Sequence, residues 1–374
     1  MRIGYEAKRA FLNTTGLGNY SRGVIGMMAS NYPENEYYLY TPKIKANKQF
    51  EFLSQITQVQ TKTPKSDYFT ALWRSRGVVF DLKHDGIELY HGLSHELPIG
   101  ISDSGIKSVV TIHDLIFMRF PQYFGLVSRK IYAAKIKYAC KHADRIIAVS
   151  EKTKADLVQL LKVHPEMIEV LYQGCDDSFR VKQSAAKVAE VRSKYKLPPN
   201  YILNVGTIEP RKNLLLLTKA LLYLPKDTQL VVVGKKGKYF ELVNKYVVEH
   251  RLTEQVLFLD SVAFADLPAI YQQAQLFVYP SRYEGFGIPI LEALVSGVPA
   301  IGAKGSCLEE AGGPDSLYCD PDDETDLTEK IRLVLDNEDL RRKMISKGLE
   351  YSHRFEEPKL AAQMMNLYNK ILHA

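Results

Sequence analysis

Short, almost wholly apolar segments typical of β-strands alternate with helical segments along this chain, and the alternation runs through the chain twice. In the first half the predicted strands are residues 2–5, 37–40, 89–91, 109–112 and 146–149, and a further strand at residues 169–171 precedes the domain boundary. In the second half they are residues 201–205, 230–233, 256–259, 276–279 and 299–301. Apolar strands separated by helices are typical of parallel sheets that helices cover on both faces. The pattern therefore predicts an α/β fold with two doubly wound, Rossmann-like domains.

The predicted helices and the chain length indicate where the domains divide. A turn at residues 16–18 leads into a helix to about residue 29, and later helices span about residues 122–141, 213–223, 239–250, 266–273, 288–296 and 357–372. A chain of 374 residues exceeds what one hydrophobic core usually serves. We predict an N-terminal domain of residues 1–172 and a C-terminal domain of residues 173–355, with residues 356–374 returning to the first domain.

The net charge of +6 is unevenly distributed. Residues 1–172 contain 23 Lys and Arg against 16 Asp and Glu, whereas the remainder contains 26 against 27. This excess favours an anionic partner for the first half, such as a membrane surface or a phosphate-bearing acceptor. Nucleic acid is not expected, because dense basic clusters and a recognition motif are missing. The basic helical stretch at residues 130–145 fits lipid headgroups, although a solvated helix face is the favoured interpretation.

Other sequence features bear on the cellular compartment. The first residues acquire charge too early for a signal peptide, and no run of 18 apolar residues is present. The cysteines, Cys140, Cys175, Cys307 and Cys319, form no C-x-x-C pair and are expected to be reduced thiols. The expected location is the cytoplasm, with peripheral contact at the inner face of the cell membrane as a further possibility.

Two segments of the second half carry candidate chemistry. In the first, a buried strand ends at Gly206 and a helix begins near Asn213, so Arg211 and Lys212 lie beside a helix N-terminus. Two cations and unpaired backbone N–H groups together make a diphosphate site. Taken alone, the Arg-Lys pair is better explained by a solvated loop.

The second segment, residues 280–294, combines a glycine turn with two glutamates. Glu284 precedes the turn Gly285-Phe286-Gly287, and Glu292 follows within a predicted helix. The glycines allow a ligand to approach the backbone, and the carboxylates offer acceptors for sugar hydroxyls. A glutamate in the first turn of a helix is also simply favourable. Glu292 is harder to explain in this way, because an apolar helix face seldom accepts an unpaired carboxylate.

These motifs carry a family resemblance that extends over essentially the whole chain. G-T-I-E-P-R-K-N-L at residues 206–214 and E-G-F-G-I-P-I-L-E at residues 284–292 resemble the GT-B glycosyltransferases of family 4, which are retaining enzymes with nucleotide-sugar donors. G-L-G-N-Y-S-R at residues 16–22, V-V-T-I-H-D-L at residues 109–115 and A-V-S-E-K-T-K-A-D-L at residues 148–157 are also similar. The resemblance implies two Rossmann-like domains, the first binding the acceptor and the second binding the donor.

The resemblance also implies residue roles in the second domain. Arg211 and Lys212 would neutralise the donor diphosphate and assist catalysis. Glu284 and the backbone of Gly285, Phe286 and Gly287 would hold the transferred sugar, and Glu292 would bind the ribose hydroxyls.

In the first domain the implied site residues are two glycines and a histidine. Gly16 and Gly18 would lie near the diphosphate and the acceptor. His113 would contact the sugar at the reacting centre, and its predicted place at the carboxyl end of a strand favours this role over a structural one. Asp114 is expected either to position the local backbone or to take part directly.

No metal or other cofactor is expected. Asp320-Pro-Asp322 spells a D-x-D motif, but Asp322 and Asp323 lie where a helix begins, which favours helix capping over metal binding. Gly16-x-Gly18-x-x-Ser21 lacks the last glycine of a dinucleotide fingerprint.

The first expectation for function is transfer of a hexose to a glycan or lipid-linked glycan. The T-I-H-D-L stretch resembles bacterial mannosyltransferases of surface polysaccharide synthesis, which makes GDP-mannose the first donor to consider. Residues 43–50 and 63–70 are loops expected to select the acceptor. The alternatives are a GT-B epimerase or phosphorylase, and a non-catalytic nucleotide-sugar-binding or NAD-binding Rossmann protein.

Overall fold

A computed structural model of the chain describes residues 1–45, 51, 53, 55–64, 66 and 69–373. The loops at 43–50 and 63–70 therefore lie partly outside the described residues. The chain divides into two compact units, of which the first comprises Met1–Gly174 with Phe355–Ala374 and the second comprises Cys175–Arg354. The sequence analysis predicted domain boundaries after residues 172 and 355, and the compact units change after residues 174 and 354.

The first unit contains a parallel sheet of seven strands in the order β3-β2-β1-β4-β5-β6-β7. The strands are β1 (Arg2–Glu6), β2 (Glu36–Tyr40), β3 (Val59–Lys62), β4 (Leu89–Gly92), β5 (Lys107–Ile112), β6 (Arg145–Ala148) and β7 (Ile168–Val170). The order reverses direction between β1 and β4. In open α/β sheets, ligands bind outside the carboxyl ends of the strands at such a reversal.

The second unit repeats this plan with six parallel strands in the order β10-β9-β8-β11-β12-β13. The strands are β8 (Ile202–Val205), β9 (Leu230–Val233), β10 (Val256–Leu259), β11 (Leu276–Tyr279), β12 (Ala300–Ala303) and β13 (Leu317–Cys319). Here the order reverses between β8 and β11. The predicted α/β fold with two doubly wound units is confirmed.

Helices connect the strands in both units. In the first they include Lys8–Leu12, Gly16–Asn31, Val78–His84, Ile116–Arg119, Leu126–His142, Glu151–Leu161 and Glu357–Leu372. In the second they are Ala185–Tyr195, Leu214–Ala220, Lys238–Glu249, Leu267–Gln272, Ile288–Val295, Leu308–Gly312, Glu324–Asp336 and Glu338–Ser352. Within the described part of the chain, no helix combines the length and the apolar character that crossing a membrane requires.

The last helix, Glu357–Leu372, belongs to the first unit. Its apolar side chains, among them Leu360, Met364 and Tyr368, are buried in the same core as the helix Gly16–Asn31. At its start, Asn31 Nδ2 donates a hydrogen bond of 3.1 Å to Glu357 Oε1. Each fully buried large apolar side chain contributes about 2 kcal/mol. This packing therefore ties the end of the chain to the first sheet.

The predicted turn at residues 16–18 is wrong, because the helix already begins at Gly16. Asn13 Oδ1 accepts hydrogen bonds from the backbone N–H and the hydroxyl of Thr15, both at 2.7 Å, and so supplies the turn three residues earlier. Gly18 lies inside the first helical turn, against the chain that precedes it. A Cβ at Gly18 would come within 1.8 Å of the Asn13 carbonyl oxygen, whereas a Cβ at Gly16 would meet nothing within 4 Å.

This contrast gives a matched pair of substitutions. We expect Gly18→Ala to lower the free energy of unfolding by about 2 kcal/mol or more, because the backbone at Asn13 must move. Gly16→Ala should be neutral or stabilising by up to about 1 kcal/mol, since alanine is the better helix former. Urea titrations of the two variants test this, and equal stability of both would contradict the packing described for Gly18.

Candidate functional site

Two loops meet at the point where the strand order of the second unit reverses. One follows β8 and contains Arg211 and Lys212, and the other follows β11 and contains Glu284. The backbone N–H of Arg282 donates a hydrogen bond of 2.9 Å to the carbonyl of Arg211, which fastens the loops to each other. Three of the predicted site residues are thus brought together at the edge of the sheet where ligands bind in this fold class.

The loop after β8 owes its shape to two unusual backbone positions. Gly206 has φ +148°, and a Cβ there would come within 2.8 Å of Lys212 Nζ. Residues Pro210–Lys212 form a single 3-10 turn, and Asn213 follows in the left-handed region with φ +57°. Asn213 Nδ2 donates a hydrogen bond of 2.8 Å to the carbonyl of Pro321, which fixes this strained residue. The helix Leu214–Ala220 then begins directly behind the two cations.

Arg211 is held by several acceptors. Its Nη1 lies 2.6 Å from Glu284 Oε2 and also donates to the carbonyl of Tyr283, while Nη2 lies 2.5 Å from Glu209 Oε1. The side chains of Arg211 and Glu284 are each only 14% exposed. The guanidinium is therefore oriented by bonds to both loops and stays charged. Burial lowers its pKa, but the surrounding acidic groups, with Glu284 first among them, together outweigh burial and raise it.

Lys212 approaches Glu284 from the other side. Its Nζ donates a hydrogen bond of 2.7 Å to Tyr279 Oη and lies 3.9 Å from Glu284 Oε1. Glu284 Oε1 also accepts bonds of 2.8 Å from Tyr279 Oη and from Ser281 Oγ. Burial alone would raise the pKa of Glu284, but Lys212 and Arg211 overcome it and lower the pKa to about 2. Glu284 is thus a fixed anion between two cations.

The predicted glycine turn is anchored by a residue that the sequence analysis did not single out for a role in the site. Cys307 Sγ donates to the carbonyl of Phe286 at 2.5 Å and to that of Glu284 at 3.0 Å. Phe286 is buried. The thiol therefore holds Glu284, Gly285 and Phe286 in place ahead of the helix Ile288–Val295, which starts directly after Gly287.

Glu292 lies on that helix, partly buried, and has a partner that sequence reasoning did not foresee. Tyr271 Oη donates a hydrogen bond of 2.8 Å to Glu292 Oε2. Burial raises the pKa of Glu292 to about 7, with Asp176 adding to the rise and the Tyr271 hydroxyl opposing it. Two carboxylates on neighbouring parts of one motif therefore differ in charge state, since Glu284 is ionised at pH 7 and Glu292 is about half protonated.

The first unit orders its glycine-containing segment with a buried arginine. Arg22 Nη1 donates to the carbonyls of Ala10 and Asn13 at 2.9 and 2.8 Å, and Nη2 donates to Asn19 Oδ1 at 2.6 Å. These bonds hold the chain ahead of Gly16 against the helix that contains Gly18. The two predicted glycines are therefore part of a rigid segment.

His113 directly follows β5 and is buried. Its Nε2 lies 2.9 Å from the carbonyl of Leu93, which can only accept, so Nε2 carries the proton. Gln173 Nε2 donates to His113 Nδ1 at 3.2 Å, and the Tyr20 ring packs edge-on at 4.5 Å between ring centres. Burial, with a contribution from His95, lowers the pKa of His113 to about 3. The ring is therefore neutral at physiological pH.

The aspartates considered in the sequence have local structural roles. Asp114 Oδ1 accepts a hydrogen bond of 3.0 Å from the backbone N–H of Ile116. Asp323 caps the helix Glu324–Asp336 by accepting from Thr325 N and Asp326 N, as predicted. Asp322 does not cap that helix but pairs with Arg282 Nη1 at 2.5 Å. Within the described residues, no group of three or more His, Cys, Asp or Glu side chains is arranged to hold a metal ion.

Comparisons with known proteins agree with this architecture. The family model described as Glycosyltransferase Family 4 matches residues 31–179, and that described as Glycosyl transferases group 1 matches residues 188–351. A solved structure of Anabaena Alr3699/HepE in complex with UDP and glucose covers 99% of this chain and all of its own, with a TM-score of 0.76 and 18% identity. That likeness shows a GT-B fold.

Curated relatives include two mannosyltransferases of Escherichia coli. O-antigen chain mannosyltransferase B is 27% identical over 98% of this chain and 99% of its own length. Serotype-specific mannosyltransferase WbdA is 27% identical over 76% of this chain and 36% of its own length, so this chain spans about a third of that relative. With both family models matched in order, the chain belongs to the glycosyltransferases of group 1 and family 4.

Proposed function

We propose that the protein transfers mannose from GDP-mannose to a glycan or lipid-linked glycan acceptor, with retention of the anomeric configuration. The assignment of the donor site rests on the arrangement of Arg211 and Lys212 around Glu284, at the strand reversal of the second unit. The names of the relatives, O-antigen chain mannosyltransferase B and serotype-specific mannosyltransferase WbdA, support mannose as the sugar. A place in polysaccharide synthesis follows from the same relatives.

In this proposal the two cations stabilise the departing diphosphate. When the bond from the anomeric carbon to the donor oxygen breaks, negative charge develops on the diphosphate and positive character on the sugar ring. Lys212 uses one of its three protons in the bond to Tyr279 Oη, and the others are available to phosphate oxygens. Fixed donors of this kind need no reorganisation during the reaction. The same cations make a metal ion unnecessary for charge neutralisation.

Retention is proposed to follow from attack on the face that the diphosphate leaves. A double displacement would need a protein nucleophile, and Glu284 is the carboxylate in the donor motif nearest the cations. Its oxygens are taken up by Arg211, Tyr279 and Ser281, and a pKa of about 2 makes it a poor nucleophile. We therefore assign Glu284, with the backbone of Gly285 to Gly287, to binding the transferred sugar. The acceptor hydroxyl oxygen bonds to the anomeric carbon, and its proton passes to the leaving diphosphate.

The remaining site residues have supporting roles. Glu292 binds the ribose hydroxyls. Tyr271 donates a hydrogen bond to Glu292 Oε2, which leaves Oε1 to the ligand. His113 contacts the sugar through the carbon edge of its neutral ring, because Leu93 and Gln173 occupy both ring nitrogens. Gly16 and Gly18 are assigned to the neighbourhood of the diphosphate and the acceptor.

The alternatives are separated by product analysis. An epimerase would convert the nucleotide sugar without an acceptor, and a phosphorylase would consume phosphate. A non-catalytic binding protein would bind a nucleotide sugar without turnover, whereas an NAD-binding protein would respond to NAD(H). None of these has a specific contact in the described structure that favours it over transfer.

The donor assignment is tested with a thermal-shift panel of UDP-, GDP-, ADP- and dTDP-sugars. A ligand present at 100 times its Kd stabilises the folded protein by about 2.7 kcal/mol. We expect GDP-mannose to raise the melting temperature most. A larger shift with another sugar nucleotide would overturn the choice of donor, and no shift with any of them would overturn the donor site itself.

Replacement of Lys212 tests the diphosphate role. We expect Lys212→Ala to lower kcat about 100-fold or more, because one preorganised cation is lost, while the melting temperature stays close to that of the wild type. Lys219→Ala is the matched control, since Lys219 lies on the following helix and pairs at the surface with Glu324 at 3.2 Å. Near-normal transfer by a folded Lys212→Ala protein would contradict the assignment.

The raised pKa of Glu292 predicts a pH dependence of donor affinity. The ionised carboxylate accepts two hydroxyl protons, so binding should strengthen as the pH rises through about 7. Between pH 6 and pH 8 the ionised fraction increases about tenfold for such a group, and the association constant for GDP-mannose should follow. Calorimetry should show this rise for the wild type and a flat, weaker profile for Glu292→Gln. A flat profile for both would remove Glu292 from the site.

A further inference from the structure

A cluster of charged and histidine side chains lies at the carboxyl edge of the first sheet. The strands β1, β4 and β5 are neighbours there, and their order includes the reversal between β1 and β4. Arg9 follows β1, His95 follows β4 and His113 follows β5. Arg9 and His95 have no part in the donor site proposed above. A separate binding function is therefore considered for them.

His95 is held in a strained conformation with an unsatisfied ring nitrogen. Its φ is +65°, in the left-handed region that non-glycine residues seldom occupy. The backbone N–H donates to the carbonyl of Thr111 at 3.0 Å, which fixes the residue next to β5. His95 Nδ1 is buried without a hydrogen-bond partner, and the ring lies 5.2 Å from that of His113. Such strain and such an orphaned atom are features of ligand sites.

Arg9 supplies a positive charge near both rings. Among the residues that the structure describes, its guanidinium has neither a hydrogen-bond nor an ion-pair partner. Its charge contributes to lowering the pKa of His95, after burial, and also that of His113. Burial and Arg9 thus keep His95 neutral, with a pKa of about 4. A partly buried arginine whose five donors bond to none of the described residues is suited to an anionic ligand.

The surrounding ion pairs leave an excess of positive charge. Glu96 is shared by Arg74 at 2.9 Å and Lys135 at 2.8 Å, so one carboxylate serves two cations. Lys8 adds a further cation, whose pKa is lowered by burial and then by Arg74. The other carboxylate is Glu6, which is buried and bonded to Ser94 Oγ at 3.0 Å. Among the described residues of this cluster, four cations therefore face the carboxylates of Glu96 and Glu6, with Asp114 beside His113.

We propose that Arg9 and His95 form a binding site for an anionic group, phosphate or carboxylate, carried by the acceptor. Arg9 pairs with the anion, and the His95 ring lines the site beside it. The inference rests on the proposed transfer function, because it presumes that the first unit receives the acceptor. The donor diphosphate is a less suitable occupant, since Arg211 and Lys212 already provide for it.

The test is a calorimetric titration of the full chain with two probes, octyl diphosphate and octyl glucuronide. Saturating GDP occupies the proposed donor cations of the wild type, and a parallel titration of Lys212→Ala without nucleotide removes the lysine instead. The chain with Arg9 intact should bind at least one probe in both settings, and adding Arg9→Gln should weaken that binding about tenfold in each. The probe that binds identifies the anion as phosphate or carboxylate.

Two controls separate binding from folding. Arg2→Gln removes an arginine from the opposite end of β1, where it pairs at the surface with Glu36 at 3.4 Å, and should leave affinity unchanged. His95→Asn keeps a residue that tolerates the left-handed region and should weaken binding, whereas Lys162→Asn, at φ +56°, should not.

The outcomes distinguish this inference from the donor assignment. Equal affinity of Arg9→Gln and the wild type, or binding of neither probe by the wild type, would overturn the anion site. Failure of GDP to bind would instead count against the proposed donor site. In that case the effect of Arg9→Gln on probe affinity would still be measured in the Lys212→Ala protein without nucleotide.

Discussion

The ion pair between Arg211 and Glu284 is the contact on which the second unit's site depends. It joins two loops at adjacent strand ends, and both side chains are largely buried. Removing one partner of such a pair costs about 3–5 kcal/mol, because a buried charge is left uncompensated. The pair therefore fixes the geometry of the loops before any ligand arrives. Lys212, Tyr279 and Ser281 complete the arrangement by bonding to one another or to the same carboxylate.

In the first unit, a network of hydrogen bonds between uncharged side chains fixes the geometry at the end of β5. His91, fully buried, bonds Tyr368 Oη through Nδ1 at 2.6 Å and Thr111 Oγ1 through Nε2 at 2.8 Å. Thr111 Oγ1 lies 3.0 Å from Tyr20 Oη, and the Tyr20 ring packs against His113. A chain of satisfied polar groups thus runs from the C-terminal helix to the end of β5. Fully satisfied buried networks stiffen their surroundings, so the last helix helps to orient His113.

Periodicity in the sequence predicted most of the fold, because the central strands are apolar on both faces. Two edge strands were not among the predictions: β3 is polar, and β13 is three residues long. For the site, the motifs identified Arg211, Lys212 and Glu284, which the structure brings together. Tyr271, Tyr279 and Cys307 were not assigned to the site, since their contacts join elements far apart in sequence. The predicted turn at residues 16–18 was wrong because the turn lies three residues earlier, where Asn13 bonds to Thr15.

Charge balance would allow the proposed diphosphate to enter the second unit without disrupting it. Glu284 and Glu209 compensate Arg211, and Glu284 also lies near Lys212. A diphosphate that binds Lys212 adds negative charge where the cation has protons to give, while Arg211 keeps its bonds to both loops. The ligand then gains charge-assisted bonds without leaving a buried protein charge unpaired. In the proposed reaction, Lys212 would therefore give its protons to the diphosphate, while Arg211 would add its charge and keep the two loops in place.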